Sequence, residues 1–185
     1  VATPPVTRER RKTVEEPVEL ARVEMGWLSA SFYKPGDAEA DVLAFVLGAG
    51  KSSRLYKRLV YDLQIAQDVS AAQESLALTS MFTITVTGRP GVDVKKLETE
   101  MQKVIDDVRA NPPTPREVER ARNLLLTSMV GRLQDVGGFG GRADMLNRYN
   151  QYLGDPGFLN KDLARYDTVT PAAVQALAKD LLDPN

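Results

Sequence analysis

An α+β fold, with a largely antiparallel sheet covered by helices, is predicted by three observations. Ser80–Gly88 (SMFTITVTG) alternates Met81, Thr83 and Thr85 against Phe82, Ile84 and Val86, the period of a half-buried strand. Residues 68–75 (DVSAAQES) are also strand-like and lie close enough to pair with it as a hairpin. After Gly88 the apolar spacing becomes helical and stays so, and strands followed by a run of helices are the pattern of an α+β domain.

Taken in order, residues 1–18 hold Pro4-Pro5, the basic run Arg8-Glu9-Arg10-Arg11-Lys12 and then Glu15-Glu16-Pro17, with little apolar periodicity. They read as a linker or N-terminal arm before a domain over 19–185. Residues 19–33 alternate loosely and end at Lys34-Pro35-Gly36, which predicts a strand closed by a turn. Residues 37–47 read as a helix with an acidic first turn of Asp37, Glu39 and Asp41. A turn at 48–50 and a second helix over 53–60, capped by Ser52 or Ser53, precede the hairpin.

Beyond the hairpin, Val94, Leu97, Met101, Val104, Ile105 and Val108 recur at helical spacing over 92–110, and Asn111-Pro112-Pro113 ends that helix. Thr114-Pro115-Arg116-Glu117 opens the next one with a capping box and a proline at its first position, running to about residue 133. Gly137-Gly138-Phe139-Gly140-Gly141 reads as a flexible break. Helices are then expected over 142–152, 156–165 and 170–182.

At 185 residues and 43% hydrophobic content the chain is long enough for one domain with a sizeable core. Its net charge of −1, from 24 basic and 25 acidic residues, gives no global field for nucleic acid or an anionic membrane. No apolar run approaches the roughly 20 residues that span a bilayer. Val1 is no initiator methionine and opens no signal-peptide pattern, so the chain reads as an excised piece. The absence of cysteine leaves both the cytoplasm and the bacterial periplasm open. The absence of histidine excludes imidazole acid–base catalysis within this chain and leaves zinc only carboxylates, a poor match to its ligand preference.

Three short motifs invite chemistry. Gly50-Lys51-Ser52 resembles the tail of a phosphate-binding loop, but the first glycine that loop requires falls on Phe45, and the preceding segment reads as a helix rather than a strand. Residues 48–53 are therefore expected to link two helices. Ser31-x-x-Lys34 matches a lysine-activated serine pair but closes a strand instead of opening a helix. The acids from Asp37 onward superficially follow a calcium loop, yet Val42 and Gly48 occupy the positions where glycine and glutamate are needed. One further pair stands out: Arg142 and Tyr149, seven residues apart, are expected on nearly the same helix face. A guanidinium there can grip a carbonyl or carboxylate, and a phenol can donate to a developing oxyanion.

Taken together, Tyr33-Lys34-Pro35-Gly36, the block from Leu47 through Gly48-Ala49-Gly50-Lys51-Ser52-Ser53-Arg54-Leu55-Tyr56 to Leu59, Ile65-Ala66, Pro113 to Glu117, Tyr152-Leu153-Gly154-Asp155-Pro156, and Asp162-Leu163 with Arg165-Tyr166 to Thr170 resemble the second half of pitrilysin-like zinc peptidases, the inverzincins. The resemblance covers roughly residues 20–185 and extends to processing-peptidase-type proteins.

It implies one half of a two-domain clamshell that closes over an extended peptide. The other half carries His-x-x-Glu-His and zinc, and is either fused upstream or a separate subunit. With no histidine, this chain resembles the partner half: inactive alone, with no cofactor of its own. In that half the family places an arginine and a tyrosine seven residues apart, which implies that Arg142 binds the substrate backbone and Tyr149 stabilises the oxyanion. The resemblance also implies a last edge strand that this chain lacks. Some relatives keep the fold as inert core proteins of respiratory complexes, so a structural or binding subunit is the alternative.

Overall fold

The computed structural model describes residues 6–183, so Pro4-Pro5 and the terminal Pro184-Asn185 lie outside the described residues. Residues 6–18 form no helix or strand and are exposed throughout. The sheet has three strands, β1 (Arg22–Ser29), β2 (Ala66–Glu74) and β3 (Ser80–Gly88), in the order β1-β3-β2 with both pairings antiparallel. β1 and β2 therefore run parallel on either side of β3, and the chain between them crosses over through helix α1 (Asp37–Gly48) and a π-helix (Tyr56–Asp62).

The alternation that predicts β3 is the one that builds the core. Phe82, Ile84 and Val86 are fully buried, and in register with them stand Trp27, Met25 and Val23 of β1 and Ala71 and Val69 of β2. Where the next inward position of β2 falls opposite Phe82, the residue is Gln73, a polar group on an otherwise apolar face. Its amide donates to the Ala30 carbonyl at 3.1 Å, and its carbonyl accepts from the Ser29 hydroxyl at 2.8 Å.

α1 lies directly on β2, and Gly48 permits that approach: a Cβ there would stand 2.3 Å from the Ala71 amide nitrogen. Helix α2 (Val94–Ala110) buries Leu97, Met101, Val104, Ile105 and Val108 as the spacing predicts, while Val94, in the first turn, is 44% exposed. Helix α3 (Pro115–Arg132) carries the expected capping box, with the Thr114 hydroxyl accepting from the Glu117 amide and the Glu117 carboxylate accepting from the Thr114 amide. α3 packs on α1, and the last helix, α6 (Pro171–Leu181), fills the angle between α1 and α2.

Two helices depart from expectation. The segment read as a helix over 53–60 is π-helical from Tyr56 to Asp62, with the Leu63 amide bonded to the Arg58 carbonyl five residues back; apolar spacing alone does not separate this wider turn from an α-helix. Helix α5 begins at Leu159 rather than 156, because the Asp155 side chain accepts from the Gly157 amide at 3.0 Å and holds 155–158 in a turn.

The Gly-Lys-Ser stretch links α1 to the π-helix and is committed internally. The Ser53 hydroxyl donates to the Gly50 carbonyl at 2.8 Å, and Arg120 donates to the Ser52 carbonyl at 2.9 Å. Arg54 grips Glu117 through two nitrogens and Asp107 through a third. Burial works against ionising Glu117, but the bonds from Arg54 and Thr114 prevail and hold its carboxyl down at about 2.

Candidate functional site

The segment between β1 and α1 contains a residue in an unusual backbone conformation. Tyr33 has φ of 61°, a left-handed conformation that a bulky side chain rarely adopts. Its amide donates to Asp37 Oδ2 at 3.0 Å, which holds the conformation in place. The ring is consequently turned inward, 6.0 Å from Tyr149 and 5.8 Å from Phe158, and the Arg165 guanidinium lies 4.9 Å from its centroid. Burial, then the nearby charge of Asp162, pushes the Tyr33 phenol up to about 12.

Asp37 is the hub of this region. It is 1% exposed and, besides the Tyr33 amide, accepts from the Ser75 hydroxyl at 2.6 Å, the Gln73 amide at 3.5 Å and Arg165 Nη1 at 3.0 Å. Its place in the first turn of α1 fits the preference of helix N-termini for acids, but its main role is tertiary. Arg165, on α5 (Leu159–Asp167), also bonds Asp162 Oδ1 at 2.8 Å. Asp162 Oδ2 in turn accepts from the Tyr149 hydroxyl at 2.7 Å, and Asp41 accepts from the Tyr166 hydroxyl at the same distance. Three buried or half-buried carboxylates thus lie close together with one guanidinium among them, which Asp37 and Asp162 share while Asp41 has only the Tyr166 hydroxyl.

That imbalance acts on Asp41. Burial raises its carboxyl most, the Tyr166 hydrogen bond works the other way and Asp37 raises it further, so that it titrates at about 7 instead of near 3.8. The folded chain holds this proton more tightly than the unfolded chain between pH 3.8 and about 7. Stability from this group is therefore greatest at the acidic end of that window, declines as pH rises through it and levels off above about 7. Urea midpoints measured from pH 4 to 8 are expected to show this negative contribution in the wild type and to lose it in Asp41→Asn, whose amide oxygen still accepts from Tyr166. Equal pH slopes for the two proteins would reject the assignment.

The network borders a cleft of about 380 Å³ between α1, β2, α3, α5 and helix α4 (Arg142–Leu153), lined by Tyr33, Phe45, Met145, Arg148, Tyr149 and Arg132 among others. Tyr149 faces it and is 2% exposed. Burial, followed by the Asp162 hydrogen bond and charge, pushes its phenol well above the usual range, so it stays a proton donor at neutral pH.

Arg142 and Tyr149 both lie on α4, but in different environments. Met145 and Tyr149, four apart, are the buried side of α4, whereas Arg142 is its first residue, exposed and outside the cleft. The spacing fixes the angle around the helix axis, but the first turn lies where little packs against it. Arg148, half-buried against Asp144 and 5.7 Å from the Phe32 ring centroid, is the cleft's arginine on α4.

The loop before α4 is also not the slack break its glycines imply. Arg142 N bonds the Asp135 carbonyl at 2.9 Å, Ala143 N the Val136 carbonyl at 3.1 Å, and Gly140 N the Asp144 carboxylate at 3.0 Å. Gly138 and Gly140 take left-handed φ of 81° and 83°, and a Cβ on Gly141 would stand 2.4 Å from the Gly137 carbonyl oxygen. These glycines build a closed turn. Ser31 and Lys34, the other sequence candidate, close a turn through Lys34 N and the Ser31 carbonyl at 3.1 Å, with Lys34 exposed to solvent.

The residues present do not fit zinc. There is no histidine or cysteine, no group of three acids among the described residues is placed to hold a metal ion, and Asp37, Asp41 and Asp162 are turned to Arg165 and to tyrosine hydroxyls. Among the described residues no helix is long and apolar enough to cross a membrane.

Comparison with known proteins gives a consistent result. The family model described as peptidase M16 inactive domain matches residues 1–125, a stretch that ends before α4. An uncharacterised zinc protease of Streptomyces coelicolor is 30% identical over 157 residues, 80% of this chain. The chain spans 33% of that relative's length. Among solved structures, an inactive peptidase domain from Bordetella parapertussis superposes with a TM-score of 0.78 at 21% identity, covering 93% of this chain and 91% of that one. A chain of complex III from Candida albicans superposes at 0.69 with 14% identity, over 90% of this chain and 41% of its own.

Proposed function

Because the chain belongs to the M16 peptidase inactive-domain family, we propose that it is the substrate-binding half of a zinc metalloendopeptidase, working with a zinc-bearing half that is fused to it or separate. The observation that carries this reading is α4, which presents an exposed guanidinium, Arg142, at one end and sets a protonated phenol, Tyr149, against a cleft further along. Arg142 makes no side-chain hydrogen bond or ion pair among the described residues and is free to grip a peptide carbonyl or carboxylate. Tyr149 would serve the oxyanion by exchanging its Asp162 acceptor for substrate oxygen. Asp162 would keep its bonds to Arg165 during that exchange, which limits the cost of releasing the phenol. Metal and activated water would come from the zinc-bearing half.

A second reading, an inert binding or structural subunit of core-protein type, is favoured by the same hydroxyl: its one proton is given to Asp162 at 2.7 Å. Hydrolysis of a quenched fluorogenic peptide by the two assembled halves separates the readings, because an inert subunit yields no turnover. In an active assembly Arg142→Ala is expected to raise KM about tenfold and leave kcat within about twofold, the signature of lost uniform binding. An unmoved KM would remove Arg142 from the substrate site.

A further inference from the structure

The polar groups that line the cleft are almost all engaged with one another. Asp37 and Asp162 receive Arg165, Asp41 receives the Tyr166 hydroxyl, and Gln73 receives the Ser29 hydroxyl. Ser75 and Tyr149 likewise give their hydroxyl protons to Asp37 and Asp162. The Tyr33 hydroxyl is different. It has no hydrogen-bond partner among the described residues, and its oxygen is not one of the buried unpartnered atoms, so a molecule in the cleft can reach it. The chain keeps this tyrosine left-handed against a cost in backbone strain. Its ring is fixed on several sides, with Phe32 stacked at 5.2 Å, Phe158 at 5.8 Å and the Arg165 guanidinium 4.9 Å from the centroid. A phenol held this way has little conformational freedom left to lose when it donates to a ligand.

Charge identifies what that ligand carries. Arg148 gives Nη2 to Asp144 Oδ2 at 2.8 Å, and the same oxygen accepts from the Gly140 amide at 3.0 Å. Arg132, which has no acid partner among the described residues, lies against Gly140, its Cδ 3.7 Å from where a Cβ would stand. Both arginines line the cleft, so at this end two guanidiniums answer one carboxylate and one positive charge is left over. Arg148 lies 5.7 Å from the Phe32 ring centroid, and Phe32 stacks on Tyr33, which sets this cation near the free phenol. Ala44, Phe45, Leu125, Met129 and Met145 give the cleft an apolar wall, and its volume of about 380 Å³ is room for a small molecule. From this combination we infer that the cleft binds a small apolar carboxylate. The Tyr33 hydroxyl and Arg148 donate to its oxygens, Arg132 supplies the surplus charge, and Phe45 and Met129 pack on its apolar group. The site needs no zinc-bearing half and stands whether or not the assembled halves hydrolyse peptides. Two sources share this chemistry: the C-terminal residue of a peptide and a free aliphatic or aromatic acid.

Isothermal titration calorimetry of the chain tests this with three probes: N-acetyl-alanyl-phenylalanine, its C-terminal amide, and 3-phenylpropionate. The dipeptide acid is expected to bind about tenfold more tightly than the amide, because only the acid offers the arginines a charge. Arg148→Gln should remove that preference. Tyr33→Phe should weaken the acid about fivefold while its urea midpoint stays at the wild-type value, because the hydroxyl it deletes bonds nothing else among the described residues. Binding of 3-phenylpropionate as tightly as the dipeptide acid assigns the site to a free acid, and binding of the dipeptide acid alone assigns it to a peptide C-terminus. The inference is overturned if no probe binds, if acid and amide bind alike, or if Tyr33→Phe leaves the affinity for the acid unchanged. Each of those three results leaves the peptidase reading to the turnover of the assembled halves, which does not depend on this site.

Discussion

Replacing Asp37 with alanine is expected to cost about 3–5 kcal/mol of stability, the range for removing one partner of a buried, hydrogen-bonded charge pair. The carboxylate is 1% exposed and joins four segments: the β1–α1 turn through the Tyr33 amide, β2 through Gln73, the hairpin loop through Ser75, and α5 through Arg165. Alanine leaves the Ser75 hydroxyl and the Tyr33 amide without their acceptor, and it releases the backbone hydrogen bond that holds a left-handed tyrosine, whose ring contacts remain. Arg165 keeps Asp162, which moderates the loss. Asp37→Asn should fall between wild type and alanine, because an amide oxygen still accepts hydrogen bonds but offers Arg165 no charge. Urea unfolding at pH 7 reads both variants. A shift below about 1 kcal/mol for alanine would show that the network is redundant.

On the proposed substrate-binding reading, Tyr149→Phe is expected to lower kcat of the two assembled halves by about 10²–10³, the usual consequence of deleting one oxyanion donor. The same substitution should cost only about 1 kcal/mol in stability, because Asp162 loses one hydrogen bond and retains Arg165. These two magnitudes separate a working phenol from a structural one. A phenol that only braces α4 against α5 would lower the urea midpoint and leave kcat unchanged, and that pattern would also favour the inert-subunit reading. The substitution removes a single oxygen from a ring packed against Tyr33 and Phe158 at 6.0 and 5.8 Å, so the apolar contacts remain as a control.

Glu117 shows how far sequence spacing reaches. That it caps α3 follows from Thr114-x-x-Glu117, because both partners lie within one turn and the geometry is local. That it also holds Arg54, 63 positions earlier, and titrates near 2 does not follow, since no spacing rule relates residues on different elements. Tyr149 repeats the lesson. Its helix and its proximity to Arg142 in sequence are legible, but its burial is not, because periodicity gives an angle around the axis and says nothing about which turns are covered. The glycines at 137–141 mislead in the opposite sense: as composition they signal looseness, whereas the structure uses their missing side chains to close a tight turn. Asp162 and Arg165 carry a faint signal, an acid–base pair three apart on one helix, which is too common to distinguish a hub from a surface ion pair.

The sequence by itself determined the strand and helix order, the inward face of β3, the buried stripe of α2, the cap of α3 and the absence of any imidazole or thiolate with which to bind zinc. All of these depend on neighbours within a turn or two, or on composition. Only the tertiary structure decided that Asp37 and Asp162 converge on Arg165 with Asp41 held by Tyr166 beside them, that Tyr33 is left-handed next to them, and that Tyr149 is turned inward while Phe139 and Arg142 face solvent. The reason is physical: charges and hydroxyls from five segments meet because the apolar faces of α1, α3 and the sheet must be buried, and that demand acts across the whole chain at once.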